Sequence, residues 1–135
     1  MDVPSIFRQK GEPAFRELEA RCLRDTAHLQ DAVIPCGGGA PCHHGNMEWM
    51  NANGLTVFLD PALPVLVGRL LPRRHNRPLI HHLDTPERMR EFVRTRLQDR
   101  LPAYLQAHIH YRPENGELEA ADDLEPLVRK WLQEA

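Results

Sequence analysis

The apolar stretch Leu55 to Leu59, with the sequence LTVFL, most constrains the fold of this 135-residue chain. It lies between segments whose apolar residues have helical spacing, and it ends at an Asp-Pro pair. Strands that are apolar along their whole length are typical of parallel sheets, because helices cover both faces of such sheets. A second apolar run, Ala32 to Ile34, predicts a buried strand, and His108 to Tyr111 predicts a short third one.

Helical segments are predicted between these strands. Pro13 suits a first helical turn, and the helix that it opens should end between His28 and Asp31. Further helices are predicted over 43–52 and 62–71, then from Thr85 onwards with a disturbance at Pro102, and at the end over 124–132. The order α-β-α-β-α-α-β-α is typical of a parallel α/β sheet.

The segment Pro72 to Asp84 is predicted to be a loop, since it is rich in arginine and histidine and has no hydrophobic period. Arg77 lies within it. Such a run of charge is either a solvated surface or a lid that neutralises phosphate charge when it closes.

Composition indicates one globular domain, with 41% hydrophobic and 27% charged residues. The formal net charge of −2 argues against general affinity for nucleic acids or membranes. No secretory signal or membrane-length apolar run is visible, and three cysteines fit free thiols in a reducing compartment. A cytoplasmic protein is therefore expected.

Three consecutive glycines, Gly37, Gly38 and Gly39, follow the strand predicted at Ala32 to Ile34. Glycine reaches positive φ without penalty and lets a ligand approach backbone N–H groups. The glycines predict either a contact surface or a simple turn between a strand and a helix.

Two arginines outside the lid are candidates for anion binding. Arg16 and Glu19 are three residues apart on one predicted helix, so they form either a solvated ion pair or a rigid carboxylate fork. Arg100, in the stretch RLPAY, either complements a helix dipole or provides a second ligand for an anion.

Six cysteine and histidine residues are possible zinc ligands by residue type. The spacing of these residues matches no strong zinc template, so thiols and surface histidines are expected instead. The residues are Cys36, Cys42, His43, His44, His81 and His82.

Taken in order, five short motifs resemble the shikimate kinase family. They are Gly-Glu followed by FRELE, the triple glycine after a strand, Leu-Asp-Pro, the Arg-Pro-Leu of the lid, and Arg-x-Pro-x-Tyr. The resemblance covers Ser5 to Tyr111. It implies a three-layer α/β fold of the P-loop, nucleoside-monophosphate-kinase-like type. It divides the single domain into substrate-side helices (5–31), a β/α core (32–71), a lid (72–85) and a C-terminal β/α part (86–135).

The resemblance also implies an activity, the transfer of the ATP γ-phosphate to the 3-hydroxyl of shikimate in chorismate and aromatic amino-acid biosynthesis. ATP and Mg²⁺ would be required, and a complete enzyme would be a monomer. Arg16 and Arg100 would bind the shikimate carboxylate with support from Glu19. The triple glycine would offer its backbone to the substrate ring, and Arg77 would reach the ATP phosphates.

The chain departs from the family pattern in ways that affect the expected activity. It has no Gly-x-x-x-x-Gly-Lys-Ser/Thr and no Asp-x-Asp, so no catalytic residue of the family is present. The family carries these two motifs on its first two strands, so a truncated, inactive enzyme is expected. One origin of such a truncation would be a start codon assigned too late. Cys36 also replaces the usual Thr or Ser before the glycines.

Two alternatives stay open at this stage. One is a catalytically dead fragment that binds shikimate or a partner chain. The other is a different P-loop small-molecule kinase, such as one resembling gluconate kinase. Arg16 with Glu19, and Arg100, argue against this second alternative.

Overall fold

A computed structural model describes residues 2–113 and 120–134. Its helices are α1 (Val3–Asp25), α2 (Asn46–Asn53), α3 (Leu63–Leu70), α4 (Pro86–Tyr104) and α5 (Ala120–Glu134). Its strands are β1 (Val57–Leu59) and β2 (Ile109–Tyr111). Short 3-10 helices lie at Thr26–His28, Ala40–Cys42 and Leu71–Asn76. The predicted C-terminal part, 86–135, includes 114–119 and 135, which lie outside the described residues.

Strands β1 and β2 pair in parallel, with Val57 opposite Ile109 and Leu59 opposite Tyr111. The pairing continues past β1, where the Asp60 N–H donates to the carbonyl of Tyr111 at 2.9 Å. Helices α3 and α4 provide the long connection that parallel neighbours require. The prediction of an α/β fold with a parallel sheet is confirmed.

The prediction of a buried strand at Ala32 to Ile34 is wrong. Residues 32–36 have no strand assignment and are exposed, with 96% of the Val33 surface open to solvent. An apolar run becomes a strand only when another strand pairs with it, and the sheet of the described residues consists of β1 and β2 alone. The apolar composition of this segment is typical of a strand, but no strand of the described residues pairs with its backbone.

Helix α1 is divided by Gly11, whose φ of 83° and ψ of 170° interrupt the helical conformation. The positive φ is the reason that glycine suits this position. Pro13 follows within the first turn of the second half, as its fixed φ favours. The second half therefore begins where the sequence predicted and runs to Asp25.

The lid prediction requires a correction, because the segment is neither a plain loop nor free of core contacts. Ile80 and Leu83 are buried against Val67 and Met89, and Met89 has no exposed surface. The 3-10 helix at 71–76 and turns at 78–82 bring these two side chains inward. Leu79, Ile80 and Leu83 are three apolar residues in a segment rich in charge, too few to reveal this burial by their pattern.

Within residues 2–113 and 120–134, no helix combines the length and the apolar character that crossing a membrane requires.

Candidate functional site

Arg16 lies in the second half of α1, and its side chain is only 7% exposed. Its Nη1 donates to Glu19 Oε1 at 3.0 Å, and its Nη2 donates to Glu12 Oε1 at 3.3 Å. The Glu19 side chain is itself only 17% exposed. The pair is thus not a solvated surface bridge, and two carboxylates on successive turns hold the guanidinium in one orientation. Glu12 was missed, although its four-residue spacing from Arg16 was visible in the sequence.

The Nε atom of Arg16 is buried and has no hydrogen-bond partner among the residues described. Arginine has five N–H donors and no acceptor, so its remaining donors can serve only an acceptor brought to the site. Buried donors without partners are uncommon and cost about 1–3 kcal/mol. Arg74 Nε is buried in the same way, so the orphan donor of Arg16 supports an anion site only together with the neighbouring glycines and Arg100.

The triple glycine packs directly against Arg16 and Arg100. A Cβ atom at Gly39 would lie 2.6 Å from Arg16 Nη1 and 2.7 Å from Arg16 Cζ. A Cβ atom at Gly38 would lie 2.8 Å from Arg100 Nη1. A Cβ atom would fit at either position only if the guanidinium moved, which is difficult for the buried, ion-paired Arg16 and easier for the half-buried Arg100.

Positive φ does not explain these glycines, contrary to one reason given for expecting a contact surface. The positive φ angles of the described glycines occur at Gly11 and Gly45, and Gly39 has a φ of −87°. Gly37 would have an ordinary contact, since its Cβ would lie 3.7 Å from Glu19 Oε2. All three glycines therefore line up along the side chains of Arg16, Glu19 and Arg100.

Tyr104 joins this group from the last residue of α4. Its hydroxyl donates to the carbonyl of Gly38, and it lies next to the Arg100 guanidinium. Burial raises the pKa of the Tyr104 hydroxyl, while the charge of Arg100 opposes that rise. The hydroxyl therefore stays protonated and remains a donor. Tyr104 stood in the RLPAY motif, but its role as a support for the glycine backbone was not foreseen.

His43 is a further residue near Arg16. It lines a shallow cavity of about 390 Å³ together with Arg16, Glu12, Pro13, Glu17 and His44. Burial, and then the nearby charge of Arg16, lower the pKa of His43 below its ordinary value. His43 is thus favoured in its neutral form beside the arginine.

Arg77 is not brought into contact with the glycines. It is exposed, it follows the 3-10 helix of the lid, and its backbone N–H donates to the carbonyl of Arg74 at 3.1 Å. In the part of the chain that the structure describes, no group of three His, Cys, Asp or Glu side chains could hold a metal ion. Arg16, Glu19, Arg100 and the three glycines are brought together, and Arg77 stands apart from their contacts.

The fold and this site define an α/β protein with two guanidinium groups beneath a glycine backbone, an arrangement that suits a small anion. Comparison with known proteins identifies one family that this chain resembles in sequence and fold. The family model described as "Shikimate kinase" matches residues 1–130. Shikimate kinase of Parabacteroides distasonis is 41% identical over 112 residues, which are 83% of this chain and 64% of that protein. That of Bacteroides thetaiotaomicron is 39% identical over 132 residues, which are 98% of this chain and 73% of that protein.

Solved structures give the same result. The crystal structure of shikimate kinase from Bacteroides thetaiotaomicron has a TM-score of 0.79 and 36% identity, covering 97% of this chain and 73% of that one. Shikimate kinase from Acinetobacter baumannii in complex with shikimate has a TM-score of 0.77 and 30% identity. The match covers 98% of this chain and 68% of that one. The chain belongs to the shikimate kinase family. It spans 64% to 73% of the length of these relatives.

Proposed function

We propose that this chain provides the shikimate-binding side of a shikimate kinase, with Arg16 and Arg100 as the residues that bind the substrate carboxylate. The carrying observation is that the guanidinium groups of Arg16 and Arg100 pack against two successive glycines, Gly39 and Gly38. The family relationship supports the proposal, and one similar structure is described as a complex with shikimate.

The chemistry of the site fits a cyclic hydroxy acid. A carboxylate accepts parallel hydrogen bonds from a planar guanidinium, and the fixed orientation of Arg16 reduces the entropy lost on binding. Glu19 acts by holding Arg16 rather than by touching the substrate, since its Oε1 accepts from Arg16 Nη1. Gly37 and Gly38 are exposed, and because they have no side chains a ring can approach their backbone closely.

The proposed reaction in the complete active site is transfer of the γ-phosphate of ATP to the 3-hydroxyl of shikimate. The family uses a nucleotide and a metal ion for this step, and Arg77 is the residue of this chain that we assign to the phosphates. The 135 residues contain no Gly-x-x-x-x-Gly-Lys-Ser/Thr, and the described side chains offer no metal cluster. The residues at hand therefore do not fit ATP and Mg²⁺ by themselves, and no phosphoryl-transfer step is derived from them.

The finer fold assignment is likewise a proposal. A three-layer P-loop kinase sheet would place further strands beside the exposed segment 32–36, which has no pairing partner among the described residues. The single-domain division, the cytoplasmic location and the monomeric state stay predictions.

Isothermal titration of the chain with shikimate tests the proposed substrate site. Arg16→Ala and Arg100→Ala should each weaken binding by roughly tenfold or more, because charge-assisted hydrogen bonds contribute about 1.5–3 kcal/mol. Arg88→Ala is the matched control on α4, since Arg88 is 66% exposed and pairs with Asp84 at the surface.

The methyl ester of shikimate provides a second control, because it keeps the ring and hydroxyls but lacks the negative carboxylate. The ester should bind much more weakly than shikimate, and Arg16→Ala should reduce its binding little further. Equal affinity for ester and acid, or full affinity in Arg16→Ala, would contradict the carboxylate assignment.

A further inference from the structure

We propose that Arg24 and Asn46 are positioning residues, which together hold the loop Gly37–Gly45 against α1 so that the glycines stay on Arg16 and Arg100. We call this pair the clasp. The inference rests on the proposed function in one respect, namely that the loop is part of the shikimate site. Within the described part of the chain, neither residue hydrogen-bonds to the three glycines, to Arg16 or to Arg100, so both act through the loop backbone.

Asn46 is the buried half of the clasp. It is the first residue of α2 and has no exposed surface. Its Oδ1 accepts from Arg24 Nη1 at 2.6 Å, and its Nδ2 donates to the carbonyl of Ala40 at 2.8 Å. Ala40 directly follows Gly39, so this amide fixes the loop one residue from the contact with Arg16.

Arg24 is the half of the clasp that comes from α1. Its Nη2 donates to the carbonyl of His44 at 2.7 Å, and its Nη1 also donates to the carbonyl of Ala20 in its own helix at 3.1 Å. The guanidinium lies 5.8 Å from the ring centre of Trp49 on α2. One planar group therefore joins α1 to the loop and to the side chains of α2, which directly follows the loop in sequence.

The loop has a conformation that needs such support. His44 has a φ of 51°, in the left-handed region that is unfavourable for a residue with a Cβ atom. Conformations of this kind persist where surrounding contacts fix them. The hydrogen bond from Arg24 to the His44 carbonyl is a contact of this type.

On the N-terminal side of the glycines, the described residues provide a contact of Cys36 Sγ with Met50 Sδ at 3.8 Å but no strand pairing. Residues 32–36 are exposed and have no strand partner among the described residues. The fixed points that follow the glycines are the turn bonds from Ala40 to Gly37 and from Cys42 to Gly39, and then the clasp. The glycine backbone is thus held by the hydrogen bond from the Tyr104 hydroxyl to the Gly38 carbonyl and by this C-terminal anchor.

The clasp also relates the loop to the substrate arginine. Arg16 and Arg24 are eight residues apart on α1, which is roughly 12 Å along the helix. The same rigid helix thus meets the loop at Gly39 through Arg16 and at His44 through Arg24. Loss of the attachment between Arg24 and His44 should let the glycines move relative to Arg16.

Four variants test the clasp. Arg24→Met removes every hydrogen bond of the guanidinium, and Asn46→Ala removes both amide contacts. Arg24→Lys keeps the charge and one or more donors, so it should restore part of the function lost in Arg24→Met. Arg21→Met is the matched control, because Arg21 is an exposed arginine of the same helix.

Two readouts are measured on the full 135-residue chain, shikimate affinity by calorimetry and amide hydrogen exchange by mass spectrometry. Arg24→Met and Asn46→Ala should weaken shikimate binding by roughly tenfold, as expected if one charge-assisted hydrogen bond to the carboxylate is lost. Exchange over 37–45 should accelerate in both variants, while exchange over the N-terminal half of α4 should stay as in the wild type. Arg21→Met should change neither.

Unchanged affinity or unchanged loop exchange in Arg24→Met would overturn the proposal. So would exchange that rises equally in the loop and in α4, since this would show a general loss of stability instead of positioning. If Asn46→Ala does not fold, the comparison of Arg24→Lys with Arg24→Met still decides. Failure of the proposed function has a different signature, because the wild-type chain would then not bind shikimate, while the exchange measurement would still test the clasp.

Discussion

Replacing Gly39 by alanine should displace Arg16, and the structure sets the size of the effect. The new Cβ would lie 2.6 Å from Nη1 of Arg16, whereas favourable contacts between heavy atoms lie near about 3.5 Å. The guanidinium would have to move by roughly 1 Å. The φ of −87° at Gly39 suits alanine, so steric overlap with Arg16 is the cause of the effect and backbone strain is not.

Arg16 cannot move without loss, because its side chain is 7% exposed and bonded to Glu12 and Glu19. Overpacking of this kind costs about 1–3 kcal/mol. Since 1.4 kcal/mol corresponds to about a tenfold change in an equilibrium constant, Gly39→Ala should weaken shikimate binding by roughly tenfold. The free energy of unfolding should fall by a similar amount.

The neighbouring glycines give a graded series for the same test. Gly38→Ala meets Arg100 Nη1 at 2.8 Å, but Arg100 is only half-buried and can yield, so its effect should be smaller. Gly37→Ala has its nearest contact at 3.7 Å and should be close to neutral. Gly68→Ala is the control, because nothing lies within 4 Å of its Cβ position in α3. This last change should stabilise the chain by about 0.5–1 kcal/mol.

Urea unfolding and shikimate titration on the four variants provide the measurement. The loss of stability and of shikimate affinity should be largest for Gly39→Ala, smaller for Gly38→Ala and smallest for Gly37→Ala. Gly68→Ala should gain stability. Equal affinities for Gly39→Ala and Gly37→Ala would refute the reasoning that the glycines are required by the space that the arginines occupy.

Three further predictions concern His43, the activity of the 135-residue chain and Arg77. Burial and Arg16 lower the pKa of His43 from its usual 6.5, so the unfolded chain binds the proton more readily. Stability should fall as the pH drops through about 6.5, and His43→Gln should lessen that fall in urea midpoints measured from pH 5 to 8; an unaltered pH dependence would contradict this. The 135-residue chain should show no ATP-dependent phosphorylation of shikimate in a coupled assay, because it lacks the phosphate-binding lysine motif; turnover above background would be inconsistent with this expectation. In a chimera that joins these residues to the N-terminal part of the Bacteroides thetaiotaomicron relative, Arg77→Ala should lower kcat by about 100-fold with little change in the KM for shikimate. A raised KM with kcat retained would instead assign Arg77 to the substrate site.

The parts of the fold that were predicted correctly depend on local signals. Helix α4 begins at Pro86 as expected, because Thr85 caps it by accepting from the Arg88 N–H at 3.2 Å. The strand proposed at Ala32 to Ile34 depends on a distant partner, which no local pattern can report. Burial of Ile80 and Leu83 likewise depends on α3 and α4, elements that the lid sequence does not contain.

The site shows the same division between local and distant contacts. The pairing of Arg16 with Glu19 follows from helical spacing, and the structure has it. The contact between Arg24 and Asn46 joins residues 22 positions apart, so no periodicity indicates it. The glycines were recognised as important, but the reason for them became visible only when Arg16 and Arg100 were seen beneath them.

The parallel pairing of β1 with β2 has a consequence for the order of events during synthesis. Thr56 and His108, which bond beside the strands, are 52 residues apart. At about 5–20 residues per second, the ribosome adds β2 roughly 3–10 s after β1. Arg100 and Tyr104 come just before β2, so the nascent chain completes α1 and the glycine loop well before their α4 partners exist. The glycines and Arg16 therefore meet Arg100 and Tyr104 only after α4 has been synthesised, and a pause after α3 would leave them without these partners.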